Sequence, residues 1–284
     1  MTALSDLPPD QHALLEAWLP GAVVVADHTW PGLQQRRVLE LLHDGERYVA
    51  KAGGPTDGHM AREIRAHREW LTPWTSRNRA PALVHGDLEA RLLLTRHLAG
   101  RLVEGSPYDD DADTFRQAGV LLALLHDQPG VVEDDYQRRE TARSLNWLAK
   151  PHRIAPDVEA RLRELVVSSD TTESTPLVPT HGDWQPRNWL VEDDGTVSVI
   201  DFGRADLRPA ESDLVRLAAQ DFRRDPALEA AFFDGYGHDP RSPGSWHRTR
   251  VREAIGTAVW AHQVGDERFE QQGHRMIAEA LADC

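Results

Sequence analysis

Asp183, Asn188 and Asp201 are oxygen-bearing side chains gathered in one short stretch, His181 to Gly203. Between them lie two apolar runs, Trp189 to Val191 and Val197 to Ile200, joined by the polar segment Glu192-Asp-Asp-Gly-Thr196. Short apolar runs around a glycine-containing turn predict a β-hairpin. A hairpin brings its outer ends together, so these three side chains are expected to converge although the chain between them is long. Hard oxygen donors gathered in this way suit Mg²⁺, which takes one or two protein carboxylates and completes its shell with substrate phosphates.

Phosphoryl transfer asks the protein mainly for positioning and charge neutralisation. One Asp must orient the attacking hydroxyl, and an Asn with a second Asp must serve the metal that bridges the nucleotide phosphates. The spacing of Asp183, Asn188 and Asp201 matches that division of labour. A cation for the phosphates is available at Lys51, at the end of the run Tyr48-Val-Ala-Lys51. Its candidate ion-pair partners lie on the helix expected over 59–71, at Glu63 and Glu69. No G-x-x-x-x-G-K-[ST] run occurs, which excludes a P-loop mechanism.

The elements that must position these groups follow from the pattern of the chain. An amphipathic helix is expected over 11–19, stopped by Pro20-Gly21, then strands over 22–26, 37–43 and 47–52. The loop 28–36 contains only Gly32, with no G-x-G-x-x-G, so few backbone N–H groups are placed to hold phosphate there. Two more strands are expected over 80–85 and 90–95, around a turn at Gly86-Asp87. Helices follow over 112–126, 140–148, 157–167, 214–222, 227–236 and 251–281, the last broken near Gly265. The acidic run 109–113 precedes the first of these, where negative charge is stabilising. The segments 168–176 and 238–245 read as exposed loops, the former a candidate element of the acceptor side.

Length and composition bound the rest. The chain has 284 residues, 40% hydrophobic and 27% charged, enough for one large domain or two lobes. Nothing approaches a membrane span, and the first ten residues lack the basic and apolar regions of a signal peptide. The one cysteine, Cys284, leaves no intramolecular disulfide, as expected of a cytoplasmic protein. Fourteen histidines are scattered without zinc-site spacing. Residues 1–100 carry 11 Lys+Arg against 12 Asp+Glu, and residues 101–284 carry 21 against 34, so the second stretch holds −13 of the total −14. Such a field disfavours nucleic acid and favours a cationic partner, although an acidic surface also serves solubility alone.

The order Lys51, Glu63, His181-Gly-Asp183, Asn188 and Asp201-Phe-Gly203 resembles the aminoglycoside phosphotransferase family of small-molecule kinases. The resemblance runs from about Ala22 to the C-terminus. It implies an α+β, two-lobed protein-kinase-like fold, with a small antiparallel-β N-lobe over 1–97 and a larger, mainly helical C-lobe over 98–284. It implies ATP or GTP with Mg²⁺ as cofactors and a small-molecule hydroxyl as acceptor. By that resemblance Asp183 is the catalytic base, Asn188 and Asp201 ligate Mg²⁺, Lys51 meets the nucleotide phosphates, and Glu63 is preferred to Glu69 as its partner. The segment from Arg96 to Gly100 resembles the family's hinge, with Arg96 and Leu98 as candidates to line the nucleotide site. The activation loop and A-P-E signature of protein kinases are absent, which argues against a protein substrate. The leading expectation is an antibiotic phosphotransferase acting on an aminoglycoside or basic cyclic peptide. A metabolite kinase of sugar, choline or homoserine type is the alternative, and a nucleotide-binding pseudokinase the third. A monomer or a dimer is expected, with no membrane or nucleic-acid partner.

Overall fold

The computed structural model describes residues 4–30, 36–169 and 173–283. Cys284, Gly32 and the centre of the expected acceptor-side loop lie outside the described residues.

Helix α1 (Pro9–Trp18) opens with proline at its first turn, where the missing N–H costs nothing. Strands β1 (Val23–Asp27), β2 (Arg36–His43) and β3 (Glu46–Gly53) follow. The β2–β3 connection is the two-residue turn Asp44-Gly45, with φ of 50° and 80°, the conformation that suits the twist of a tight hairpin. Helix α2 (His59–Glu69) and the short α3 (Thr72–Thr75) lead to β4 (Leu83–Asp87) and β5 (Leu92–Arg96), completing a five-stranded antiparallel sheet in the order β1-β2-β3-β5-β4. The sheet has two distinct faces. Leu39, Leu41, Tyr48, Ala50, Ala52, Leu92 and Leu94 form one core with Leu15 of α1. The alternate residues face the other way, where Leu93 packs on Met60 and Ile64 of α2. Lys51 is paired with Leu93 and belongs to this second face.

Beyond the sheet come β6 (Arg101–Leu102), α4 (Ala112–His126), β7 (Val131–Glu133), α5 (Tyr136–Leu148), α6 (Pro156–Ser168) and β8 (Thr175–Thr180). Asp111 caps α4 by accepting the Thr114 N–H at 2.8 Å. The hairpin of β9 (Trp189–Val191) and β10 (Val197–Val199) forms as expected and pairs with β6 in the order β10-β9-β6. Strand β11 (Asp206–Arg208) and helices α7 (Val215–Ala219), α8 (Asp221–Arg224), α9 (Pro226–Tyr236), α10 (Pro243–Val264) and α11 (Glu267–Ala282) complete the chain.

Two compact units result, one of residues 1–128, 181–206 and 230–237, the other of 129–180, 207–229 and 238–284. The first holds the five-stranded sheet, α4 and the β9–β10 hairpin. The second is mainly helical, with a core of Leu148, Leu162 and Val166 against Val251, Ile255, Val259, Met276 and Ile277. Its helices α10 and α11 cross so closely that a Cβ on Gly273 would lie 2.5 Å from the Cα of Ala258.

Four local expectations are corrected. Gly86 and Asp87 lie within β4, and the chain reverses after them, where Arg91 takes a φ of 52°. The helix expected over 214–222 is interrupted at Gln220 (φ −122°, ψ −82°), giving α7 and α8. Residues 243–245 are not loop: Pro243 supplies the first turn of α10. Thr175 and Pro176, at the end of the expected loop, instead begin β8, which is held between β7 and β11.

Candidate active site

The site is built on a buried aromatic column. His181 has no exposed surface, and its Nε2–H donates to the Ile200 carbonyl at 3.0 Å. That tautomer leaves Nδ1 to accept the Asp183 N–H at 3.3 Å, so one ring ties the loop carrying Asp183 to the residue preceding Asp201. Its ring meets Trp184 and Phe202 edge-on, with centroids 5.4 and 5.3 Å away. Trp74 contacts both of those rings at 5.8 Å, and Trp184 continues through Trp189 to Phe115. Trp184, Trp189, Trp74 and Phe115 are fully buried, and aromatic contacts of this kind add to their burial. The two motifs therefore rest on one rigid support.

Above it, the Asp183 carboxylate is buried and doubly engaged. Oδ1 accepts from Gln185 Nε2 at 2.5 Å, and Oδ2 from an Arg187 terminal nitrogen at 2.8 Å. Asn188 donates its side-chain N–H to the Asp183 carbonyl at 2.8 Å, which commits its nitrogen and orients its oxygen. The Ile200 N–H donates to the Asn188 carbonyl at 3.0 Å, closing the hairpin beside Asp201. Asp201 has a φ of 65°, left-handed backbone that costs a non-glycine residue about 1 kcal/mol or more and is found preferentially at functional sites.

Lys51 on β3 completes the constellation. Its ammonium lies 2.5 Å from Glu63 and 3.7 Å from Asp201. Burial works to lower the Lys51 pKa, but the two carboxylates outweigh it and hold the group above its usual range. Burial likewise pushes Asp201 up, as does the charge of Asp183, but the positive charges around it, Lys51 foremost and Arg36 further off, hold it below the usual carboxylate range. The neighbouring His67 is pushed down to about 3 by burial and by Lys51, so it is neutral at ordinary pH. The first turns of α2 grip the segment after Asp201: the Gly203 carbonyl accepts from His59 Nδ1 at 2.9 Å and Arg62 Nε at 3.1 Å. Gly203 eases that approach, since a Cβ there would lie a tight 3.2 Å from the His59 Cβ.

Lys51, Glu63 and Asp201 thus form one ion cluster, with Asp183 near enough to act on Asp201 electrostatically, while Glu69 is exposed. Arg96 is not brought to them. It is paired across the ladder with Tyr48, on the face that packs on α1, stacks over the Tyr48 ring at 4.9 Å and binds Glu46 at 3.1 Å. Leu98 lies half-buried in the segment after β5. The pattern reading passed over Gln185, Arg187, His59, Arg62 and Arg36; only Arg187, four residues past Asp183, carried a sequence signal that could have found it.

The donor set fits Mg²⁺. Asp201 offers a carboxylate whose side chain is 43% exposed, and Asn188 an oriented amide oxygen. Among the described residues no group of three or more His, Cys, Asp or Glu is arranged to hold a metal. A carboxylate and an amide oxygen are hard donors of the kind Mg²⁺ takes.

A sheet carrying a Lys–Glu ion pair, beside a hairpin that presents two Asp and an Asn, defines a kinase-like phosphotransferase. The chain belongs to the phosphotransferase enzyme family (APH), whose model matches residues 31–253. It is accordingly a small-molecule phosphotransferase with an alcohol group as acceptor. Solved structures agree on the fold. A thermostable mutant of aminoglycoside phosphotransferase APH(4)-Ia, in ternary complex with ADP and hygromycin B, superposes with a TM-score of 0.72 at 12% identity, covering 96% of this chain and 98% of that one. The choline kinase LicA from Streptococcus pneumoniae gives 0.66 at 14% identity over 94% and 97%. A macrolide 2'-phosphotransferase type I gives 0.62 at 17% over 98% and 99%. No curated protein sequence matches this chain. Among the described residues no helix is long and apolar enough to cross a membrane.

Proposed function

We propose that this phosphotransferase uses MgATP, or GTP, to phosphorylate a hydroxyl of a cationic small molecule, an antibiotic, and so confers resistance. The observation that carries the reading is the joint cluster of Lys51, Glu63 and Asp201 with Asp183 close by. In this reading Lys51, steadied by Glu63, binds the nucleotide phosphates. Asn188 and Asp201 would hold Mg²⁺, which would supply positive charge to neutralise the phosphates. Asp183, its carboxylate aimed by Gln185 and Arg187, orients the acceptor hydroxyl and takes its proton. The acceptor oxygen then bonds to the γ-phosphorus as the bond to the nucleoside-diphosphate oxygen breaks. Adenine would be read by backbone groups near Leu98. Acceptor recognition would fall to residues 98–284, where most of the net negative charge resides. A cytoplasmic setting accords with nucleotide use.

A choline-type metabolite kinase is the second reading, favoured by the similarity to the choline kinase structure. The two part in one experiment. ADP release is measured across panels of cationic antibiotics and of amino alcohols, amino acids and sugars, and ³¹P NMR identifies the product. Turnover of an antibiotic together with a raised inhibitory concentration in a susceptible host supports the first reading. Turnover confined to a metabolite replaces it with the second, and MgATP binding without turnover of any acceptor would leave a nucleotide-binding module.

A further inference from the structure

The connection between β1 and β2 contains a single glycine, Gly32, too few for a backbone cradle of the glycine-rich kind. At its far end stands Arg36, the first residue of β2. Arg36 is paired across the ladder with Gly53, and Val38 with Lys51, so Arg36 and Lys51 share one face of the sheet. The guanidinium is held bidentately by Asp57, Nε to Oδ2 and a terminal nitrogen to Oδ1, both at 3.0 Å. Asp57 is itself anchored, since Oδ1 also accepts the His59 N–H at 2.7 Å at the start of α2. Gly53 makes the arrangement possible: a Cβ there would lie 2.9 Å from Asp57 Oδ2.

Two features go beyond a structural clip. The positive charge of Arg36 acts on Glu63, Asp201 and Lys51, the groups of the ion cluster, in keeping with its place on the Lys51 face of the sheet. The two bonds to Asp57 use two of the five guanidinium N–H donors, and the other three have no partner among the described residues. The side chain is 20% exposed, so those donors remain reachable. A planar donor fork fixed in place on the Lys51 face is the geometry that binds phosphate oxygens.

We infer that Arg36, aimed by Asp57, is a second phosphate-binding cation of the nucleotide site, supplying by side chain the contact that a glycine-rich loop supplies by backbone. This rests on the nucleotide reading proposed above. The test compares binding of MgATP and of adenosine, by calorimetry, to the wild-type chain and to the Arg36→Ala, Arg36→Gln and Arg36→Lys variants, with melting temperatures recorded alongside. MgATP affinity should fall about tenfold to a hundredfold in Arg36→Ala, the scale of charge-assisted hydrogen bonds, while adenosine affinity stays within about twofold. Arg36→Lys should recover part of the loss. Arg36→Gln, which keeps a donor for Asp57, should show the same selective loss even where Arg36→Ala proves too unstable to assay. Equal weakening of both ligands, or unchanged MgATP affinity beside a lowered melting temperature, would overturn the assignment and leave a structural clip. Wild-type protein that binds no MgATP would instead overturn the nucleotide reading itself.

Discussion

Lys51, half-buried, and Asp183, buried, are charges in one compact unit, yet their partners are supplied in opposite ways. Lys51 is a cation between two carboxylates, one from α2 and one from the segment after β10, 12 residues away in the first case and far along the chain in the second. Asp183 is an anion whose side-chain partners, Gln185 and Arg187, sit two and four residues further on in its own loop. The ion pairs of Lys51 are made by tertiary packing, whereas the side-chain hydrogen bonds to the Asp183 carboxylate come from its own loop, although both motifs rest on the same aromatic column. Contacts made within a loop should tolerate changes elsewhere better than ion pairs that depend on several elements.

Four substitutions test that contrast. The largest expected effect is Asp183→Ala, which removes the group placed to take the hydroxyl proton: kcat should fall by about 10²- to 10⁴-fold with MgATP affinity nearly unchanged. Steady-state rates and calorimetry decide it, and a variant with wild-type kcat would remove the proposed role. Next is Lys51→Met, expected to lower kcat/KM by about 10²-fold, the scale of removing one electrostatic interaction from an active site. It should disturb the ion cluster widely, because Asp201 would be without the charge that keeps its carboxyl low.

A pH effect follows. The stabilisation from a carboxyl whose folded pKa is depressed is present above its unfolded value, about 3.9, and is lost as pH falls through the lower folded value. Without Lys51 that stabilisation should be missing, so the stability difference between wild type and Lys51→Met, by urea unfolding, should be full at neutral pH and shrink as pH falls through the carboxylate range. A difference that does not change with pH would mean that Lys51 does not set the Asp201 charge.

Smaller again is Arg187→Ala, which frees one carboxylate oxygen of Asp183 but leaves Gln185 and the loop in place; kcat should drop by about tenfold, as for one charge-assisted hydrogen bond, with the melting temperature almost unchanged. A large loss of stability would show that the loop's own contacts are not self-supporting. The mildest change is Gly203→Ala, which presses on His59 where α2 meets this segment. It should cost about 1 kcal/mol of stability, as modest overpacking does, measured by urea unfolding; no change would mean that α2 yields easily there.

Legibility in the sequence followed the same divide. The β9–β10 hairpin, the Asp44-Gly45 turn and α4 could be read directly, because each is specified by neighbours within a few residues, through turn chemistry, alternation and an acidic cap. The short strands β6, β7, β8 and β11 could not, since two- to six-residue segments with little alternation become strands only when a distant partner supplies the ladder. Trp74, Trp184 and Phe202 were visible as residues, but nothing in their spacing announced that they would stack into one support beneath two catalytic motifs.

By itself the chain of residues determined the chemistry available here: which carboxylates, amide and amine exist, in what order, and that Asp183 and Asn188 share a loop. Tertiary structure alone decided that Arg96 lies on the α1 face of the sheet and that Arg36 shares the Lys51 face, and it brings Lys51 to Glu63, the partner the resemblance had already preferred. The physical reason is range. Turn and hairpin preferences act over a few bonds and are written in adjacent residues, whereas an ion pair across a sheet depends on strand register and helix docking, which the burial of remote side chains sets.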